Sequence, residues 1–323
     1  MLGSVRIVPR ALDANRLDLA ARLAPRDPEH ARVAQEIYDS REDLRGHFPS
    51  VTSFGYLEWL AVHGRREYAD QLAGFYPPVP PDDLRATVSC GEEVGNYLKT
   101  GIEDFRTFIE LYEVLSGRNA ADLSNVLDFG CGCGRLLHWF EVALPEAKRV
   151  GIDVSPKGIE WLQANMQGEF HVGETQPPSA LADNSIDLMV SVSVWSHLPR
   201  SSNLAWIGEM ARVCRPGGIV ILTTHGAFAL ASLMRSSDLR AVLEMTVEDG
   251  EDYLRRLERE HFLFERAPEG LFRRAEGVES EYGQAFFDAA FVREHWSEHF
   301  ELLACVPVAH VFLQDVYVLR ARS

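Results

Sequence analysis

The first part of the chain carries apolar residues at the spacing of a helix. From about Ala11 to Tyr68 they recur every three or four positions, so we predict a helical region over residues 1–76. Four prolines then fall within residues 77–90, a run that disfavours helix and predicts an extended linker. Helical spacing returns in residues 91–120, where a glycine follows the last apolar position as a stop signal.

Beyond residue 120 the pattern changes to short apolar runs that alternate with helical segments. Predicted strands cover 125–129, 149–153, 169–172, 186–191 and 218–224, with helices at 135–143, 156–167 and 204–214. This alternation is typical of an open α/β sheet that is mostly parallel, with helices on both faces. A helical insertion is predicted over residues 225–297. Two strand-like runs, 300–306 and 315–319, predict an antiparallel C-terminal hairpin.

The charge balance narrows the choice of partners. The 323 residues include 32 Lys and Arg against 48 Asp and Glu, a net charge of −16. A chain this acidic repels phosphate backbones and anionic lipid surfaces, so we expect neither nucleic acid nor a membrane as a partner. The five cysteines are an odd number, and the first residues show no apolar leader. Both observations favour a cytoplasmic protein. Its oligomeric state, monomer or homodimer, stays open.

The most informative motif follows the first predicted strand. It reads Asp128-Phe129-Gly130-Cys131-Gly132-Cys133-Gly134-Arg135. Glycines at alternate positions let the backbone turn sharply and approach a ligand, with the N–H groups of the next helix pointing at it. A dinucleotide fingerprint needs a further glycine where Arg135 stands, which argues against a nicotinamide or flavin cofactor.

Two carboxylates accompany this loop. Asp128, at the end of the first strand, suits a ligand that carries an ammonium group. Asp153 ends the next strand, where a carboxylate can accept hydrogen bonds from ribose hydroxyls. Cys131 and Cys133 form a C-x-C pair, but no second pair or histidine cluster lies at ligand spacing, so we predict no metal site.

Four motifs, taken in order, resemble those of the class I S-adenosylmethionine-dependent methyltransferases. They are the glycine loop with its strand, Gly151-Ile152-Asp153, Ile186-Asp187-Leu188, and the run from Arg212 to Gly218. The resemblance covers roughly residues 123–224 and extends to the C-terminal hairpin. It implies a Rossmann-like sheet within residues 121–323, S-adenosylmethionine as the cofactor and S-adenosylhomocysteine as its product.

The resemblance also implies where the methyl donor binds. In that family the glycine loop passes under the methionine part of the donor, and the acid of the second strand holds the ribose. Glu174 is then placed near the adenine and Ser193 near the transferred methyl group. The implied donor-site residues are Asp128, Gly130, Cys131, Gly132, Gly134, Asp153, Val154, Glu174 and Ser193.

Two histidines are candidates for catalysis. His197 follows the fourth predicted strand and His225 ends the fifth, so both face the cleft at the carboxyl ends of the strands. A histidine can accept the proton of a hydroxyl nucleophile at neutral pH. Further candidates for the acceptor pocket are Tyr282, His295, His310, Gln314 and Asp315.

The acceptor itself has no recognisable motif. We expect the N-terminal helices and the insertion to cover the site and to select the acceptor, because an open α/β core leaves the methyl donor exposed to water. Residues 235–294 hold 9 arginines, no lysine and 15 acidic residues, which favours a neutral or cationic small molecule. Methyl transfer to oxygen is the preferred reading. Transfer to nitrogen or sulfur, and a non-catalytic protein that binds S-adenosylmethionine, stay open as alternatives.

Overall fold

The sheet is mixed and carries helices on both faces. The computed structural model describes residues 19–88, 93–242, 250–266, 283–310 and 313–322. The strands are β1 (Asn125–Phe129), β2 (Lys148–Asp153), β3 (Glu169–Val172), β4 (Ile186–Ser191), β5 (Cys214–His225), β6 (Phe262–Arg266), β7 (Gly283–Phe287), β8 (Phe300–His310) and β9 (Gln314–Ala321).

The helices before the sheet are α1 (Pro28–Ser40), α2 (Glu42–His47), α3 (Phe54–Trp59), α4 (Asp82–Val88) and α5 (Val94–Ser116). Those within and after it are α6 (Arg135–Ala143), α7 (Pro156–Asn165), α8 (Arg200–Val213), α9 (Ala227–Arg235), α10 (Ser237–Val242), α11 (Gly250–Glu260) and α12 (Ala289–His295).

The strand order confirms the predicted α/β fold. The strands β3, β2, β1, β4 and β5 lie side by side and are all parallel. On the far side of β5 runs β9, antiparallel to it, and β8 completes the predicted C-terminal hairpin. Because the parallel strands point the same way, their carboxyl ends meet at one edge of the sheet, where a ligand site is expected.

The N-terminal helices pack directly on one face of this sheet. A single apolar core joins Ile37 of α1 and Phe105 of α5 to Val126 of β1 and Val316 of β9. Helix α5 ends at Gly117, whose φ of 70° is the left-handed conformation of a helix stop. The division of the chain at residues 76 and 120 stays a prediction, since helices on both sides of it share this core.

The extended linker predicted for residues 77–90 is wrong over residues 82–88, which form α4. Proline is compatible with the start of a helix, since the first N–H groups have no partner within the helix. Asp82 and Asp83 lie in the first turn, where negative charge is favourable. Residues 89 and 90 lie outside the described residues.

The helical insertion predicted for residues 225–297 contains strands as well as helices. Strands β6 and β7 pair antiparallel, and β7 meets β5 in parallel where Phe286 lies opposite His225. Phe286 packs with Leu230 of α9 and Leu257 of α11 in a small separate core. The insertion is therefore anchored to the carboxyl end of β5. Among the described residues, no helix is long and apolar enough to cross a membrane.

Candidate functional site

The glycine loop has the left-handed backbone that its sequence predicts. The φ angles of Gly130, Gly132 and Gly134 are 80°, 54° and 90°, a region that residues with a Cβ rarely adopt. The surrounding packing also leaves no room for a Cβ atom at these positions. A Cβ on Gly130 would lie 2.1 Å from Cγ2 of Val194, and one on Gly132 would lie 2.2 Å from Cγ1 of Val88. The loop therefore lies between the segment after β4 and the end of α4.

Asp153 is held against this loop by two backbone N–H groups. Its carboxylate accepts hydrogen bonds from the N–H of Gly132, at 2.7 Å, and from the N–H of Ser155, at 2.8 Å. Burial raises the pKa of Asp153 above its ordinary value, and the two backbone hydrogen bonds oppose that effect. The carboxylate thus lies beside the glycine loop at the end of β2, as the sequence predicted.

Asp128 is a buried carboxylate near the end of β1, with 3% of its surface exposed. Burial raises its pKa to about 7, the guanidinium of Arg135 lowers it, and the carboxylates of Asp153 and Asp104 raise it further. Its charge is therefore sensitive to pH near neutrality. A cationic group placed beside it would favour the ionised form.

The side chain of Arg135 forms a buried ion pair with Asp104 of α5. The distance from Nη1 of Arg135 to Oδ2 of Asp104 is 2.6 Å, and the other oxygen of Asp104 lies 2.9 Å from Nε2 of His310 at the end of β8. The sequence analysis proposed His310 for the acceptor pocket but missed Asp104. The sequence does contain a signal for Asp104, because this acid lies on the apolar face of α5, three residues from Gly101 and four from Phe108.

A network of neutral polar groups lies at the ends of β4, β5 and β9. The N–H of Ser193 donates to Oγ1 of Thr223 at 2.9 Å, and the Thr223 hydroxyl donates to Oε1 of Gln314 at 2.6 Å. Nε2 of Gln314 lies 2.9 Å from Oγ of Ser193 and 3.4 Å from Nε2 of His225. The φ of Ser193 is 57°, a left-handed conformation that is unusual for serine. The contacts with Thr223 and Gln314 hold Ser193 in this conformation.

The two candidate histidines lie next to each other. Their ring centroids are 6.4 Å apart, and Nδ1 of His197 donates to the carbonyl of Gly283 at 2.8 Å. Burial lowers the pKa of His197 to about 4. For His225, burial followed by the neighbouring His197 and His310 lowers the pKa to about 3. Both imidazoles are therefore neutral at pH 7.

The remaining predicted residues are distributed more widely. Glu174 is exposed just beyond β3, and Val154 is half-buried after β2. Asp315 is buried, and its carboxylate accepts the N–H of Val308 at 3.0 Å. His295 is half-buried, with its Nε2 2.8 Å from Nη2 of Arg200. None of its contacts described here joins it to the network above. Tyr282 lies outside the described residues.

The cysteines of the loop serve its packing. Cys131 and Cys133 are buried, and burial raises the pKa of both thiols, that of Cys133 to about 12. They are therefore protonated and poor metal ligands at neutral pH. The described part of the chain contains no group of three or more His, Cys, Asp or Glu side chains arranged to hold a metal ion.

Part of the chain is similar in sequence to known methyltransferases. The family described as a methyltransferase domain matches residues 126–218. The malonyl-acyl-carrier-protein O-methyltransferase of Hahella chejuensis is 35% identical over 104 residues, which cover 31% of this chain and 36% of that protein. The tRNA N(3)-methylcytidine methyltransferase of Schizosaccharomyces pombe is 28% identical over 131 residues, 38% of this chain and 53% of that protein. The chain thus matches only about a third to a half of the length of these relatives.

Solved structures of methyltransferases are also similar, at low identity. An S-adenosylmethionine-dependent methyltransferase from Clostridium acetobutylicum is 12% identical, with a TM-score of 0.45 over 69% of this chain and 92% of that one. The matched family covers the strand order from β1 to the start of β5, the glycine loop and Asp153. Residues 126–218 thus form a methyltransferase domain, similar to those of S-adenosylmethionine-dependent methyltransferases.

Proposed function

We propose that this chain transfers the methyl group of S-adenosylmethionine to an oxygen atom of a small-molecule acceptor. The observation that carries the donor part of the proposal is the glycine loop, in which a Cβ on Gly130 or Gly132 would clash, with the Asp153 carboxylate accepting the N–H of Gly132 at 2.7 Å. The loop and the acid lie at the edge of the sheet where ligands bind in open α/β folds.

The residues present fit the donor. Each oxygen of Asp153 accepts one backbone N–H, and a carboxylate oxygen can accept a further hydrogen bond, so Asp153 retains capacity for ribose hydroxyls. Asp128 is the buried carboxylate that would balance the ammonium of the methionine part. Glu174, exposed beyond β3, would lie by the adenine, and Ser193 by the transferred methyl group.

The chain's own residues position the acceptor and receive its proton. When bound, S-adenosylmethionine supplies an electrophilic methyl group, whose bond to sulfur breaks as the bond to the acceptor oxygen forms. The hydroxyl proton must then leave. His197 donates Nδ1–H to the carbonyl of Gly283, so in the neutral ring Nε2 carries the lone pair. We assign this nitrogen as the proton acceptor. His225, the second candidate from the sequence, has its Nε2 facing the amide nitrogen of Gln314 at 3.4 Å.

A titration of the purified protein with S-adenosylhomocysteine by calorimetry tests the donor site. Asp153→Ala is expected to weaken binding by about tenfold or more, or about 1.4 kcal/mol. The matched control is Glu146→Ala, an exposed carboxylate in the loop before β2, at the opposite edge of the sheet, and it is expected to bind like the wild type. Absence of binding, or equal binding by both variants, would refute the proposal.

The alternatives have their own outcomes. A protein that binds S-adenosylhomocysteine but methylates no oxygen, nitrogen or sulfur acceptor would be a non-catalytic binding protein. Enhanced fluorescence of a reduced nicotinamide on binding would instead support a nicotinamide-dependent oxidoreductase, the class that the missing third glycine argues against. With an acceptor in hand, His197→Gln is expected to lower kcat by about a hundredfold or more. Unchanged turnover with an unaltered pH profile would exclude His197 as the base.

A further inference from the structure

A band of polar side chains crosses the carboxyl edge of the sheet on one face. Residues alternate between the two faces of a strand. Ile219 and Ile221 of β5 face the core shared with the N-terminal helices, so Thr223 and His225 face the same way. The same alternation from Val316 of β9 places Gln314 on that face. The band therefore lies on the face that the N-terminal helices cover.

The contacts within this band favour one tautomer of His225. Oγ1 of Thr223 accepts the N–H of Ser193 at 2.9 Å, and the Thr223 hydroxyl donates to Oε1 of Gln314 at 2.6 Å. The amide nitrogen of Gln314 then faces Nε2 of His225 at 3.4 Å. An amide nitrogen only donates, so Nε2 of His225 is the acceptor. In the neutral ring the proton is consequently on Nδ1.

Several buried polar atoms have no hydrogen-bond partner among the described residues, and two of them bear on this network. They are Nδ1 of His225 and Oε1 of Gln284. His225 is 1% exposed and Gln284 is 4% exposed, so water does not reach these side chains freely. A buried donor or acceptor without a partner destabilises the fold, and in native proteins such atoms call for a specific explanation.

Both atoms lie at one place in the fold. The ring of His225 stacks on Phe286, with centroids 5.5 Å apart, and Gln284 precedes Phe286 by two positions on β7, so both point to the same face. The neighbours of Gln284 are tied to the segment after β4, because Ala285 N–H donates to the carbonyl of Ser196 and the carbonyl of Gly283 accepts from His197. The unpartnered donor and acceptor thus lie beside the proposed base.

We propose that His225 and Gln284 form the acceptor subsite and bind an uncharged polyhydroxyl ring, offering the Nδ1–H of His225 to one of its oxygens and the Oε1 of Gln284 to one of its hydroxyls. This inference rests on the proposed function and specifies its substrate class. A sugar and a polyphenol share this chemistry. His225, being within contact of the acceptor, would select it as well as align it for His197.

The charges around the subsite disfavour an anionic acceptor. Both imidazoles are neutral, and Gln284 presents an oxygen, which repels a phosphate or carboxylate. Arg135 is paired with Asp104 at 2.6 Å, so its charge is already balanced. The insertion that supplies β7 is acidic, with 15 acidic residues against 9 arginines in residues 235–294. A phosphorylated or carboxylated ring would meet no unbalanced cation among these groups.

Saturation-transfer NMR on the 323-residue chain, with its donor site filled by excess S-adenosylhomocysteine, tests the subsite with four probes. They are catechol and 3,4-dihydroxybenzoate, and glucose and glucose 6-phosphate, two pairs that differ by one anionic group. We expect a neutral probe to bind and its anionic partner to bind at least about tenfold more weakly. Preference for catechol or for glucose then distinguishes a polyphenol from a sugar.

Variants assign the binding to these two residues. His225→Leu and Gln284→Met are expected to abolish the signal of the neutral probe, and His225→Asn, which keeps an N–H near the position of Nδ1, is expected to restore it. The matched control is His30→Leu. His30 is also buried with an unpartnered ring nitrogen among the described residues, but it packs on Phe75 in the N-terminal region and should leave probe binding unchanged.

Calorimetry with S-adenosylhomocysteine on every variant separates the two proposals. Loss of donor binding in the wild type would refute the proposed function, whereas intact donor binding with loss of the neutral probe in both variants supports the subsite. The subsite is overturned if the wild type binds the donor product but none of the four probes, if the anionic probes bind more tightly, or if both variants bind like the wild type.

Discussion

At the scale of single residues, Asp153 and Asp128, the two acids of the proposed donor site, differ in what stabilises their charge. Asp153 has two backbone N–H donors, at 2.7 and 2.8 Å, which favour its carboxylate form. For Asp128, burial and two neighbouring carboxylates raise the pKa, and only the guanidinium of Arg135 lowers it. The resulting pKa is about 7. Donor binding should therefore be pH-dependent through Asp128.

We predict that S-adenosylhomocysteine binds more tightly as the pH rises through about 7. Below that value Asp128 is protonated and cannot balance the ammonium, so affinity should fall by up to about tenfold per pH unit. Calorimetry between about pH 5.5 and 8.5 measures this dependence. Asp128→Asn should bind weakly with a flat profile over the same range, and a flat wild-type profile would contradict the assignment.

The same pKa predicts an effect on stability without ligand. A carboxyl whose folded pKa lies above its unfolded value stabilises the fold fully below the unfolded value, about 3.9, and loses that contribution as the pH rises through about 7. Asp128→Asn carries no such charge, so its melting temperature relative to the wild type should rise between pH 5 and 8. A constant difference across that range would argue against the raised pKa.

At the scale of elements, α4 and the glycine loop depend on each other. Val88 ends α4 and packs on Gly132, and the thiol of Cys133 lies 3.5 Å from the carbonyl of Leu84 in the same helix. The proline run predicts an extended linker here. That prediction is wrong because prolines that precede the first turn permit a helix, and because the surface that receives α4 is assembled from distant parts of the chain.

Gly132→Ala should destabilise the protein and weaken donor binding. The new Cβ would lie 2.2 Å from Cγ1 of Val88 at a φ of 54°. A left-handed backbone costs about 1–2 kcal/mol with a Cβ, and overpacking costs about 1–3 kcal/mol more. Urea denaturation measures the loss, and adding Val88→Ala should recover the overpacking part.

The control for that substitution is Gly46→Ala in α2. A Cβ there meets nothing within 4 Å, and alanine is the better helix former by about 1 kcal/mol. Gly46→Ala should therefore be neutral or stabilising. Equal losses in both alanine variants would show that the tight packing of the loop is not what requires glycine at position 132.

At the scale of the whole molecule, one buried carboxylate connects three parts of the chain. Asp104 of α5 contacts Arg135, which begins the helix after the glycine loop, and His310, which ends the first strand of the C-terminal hairpin. His310 lies opposite Gln314 in that hairpin. Gln314 in turn contacts Ser193 and His225 of the proposed acceptor subsite. Asp104 thus joins the N-terminal helices to both halves of the site.

Asp104→Asn should cost about 3–5 kcal/mol of unfolding free energy, because it leaves the buried Arg135 charge without its partner. The comparison is Glu301→Gln, which removes an exposed ion pair with Arg320 at 3.4 Å and should cost less than about 1 kcal/mol. Urea denaturation of both variants measures the difference. Similar small losses would mean that Arg135 finds another partner or water.

The sequence by itself determined the alternating α/β order, the glycine loop, the placement of Asp128 and Asp153 and the antiparallel hairpin. These features depend on neighbouring residues, since turns, strand ends and periodicity are local. The tertiary structure decided the rest. Ser193 and Gln314 are 121 positions apart, Arg135 and Asp104 are 31 apart, and Gln284 lies on a strand hidden in a predicted helical insertion. Partners in such buried contacts are chosen by packing across the sheet, which no local pattern records.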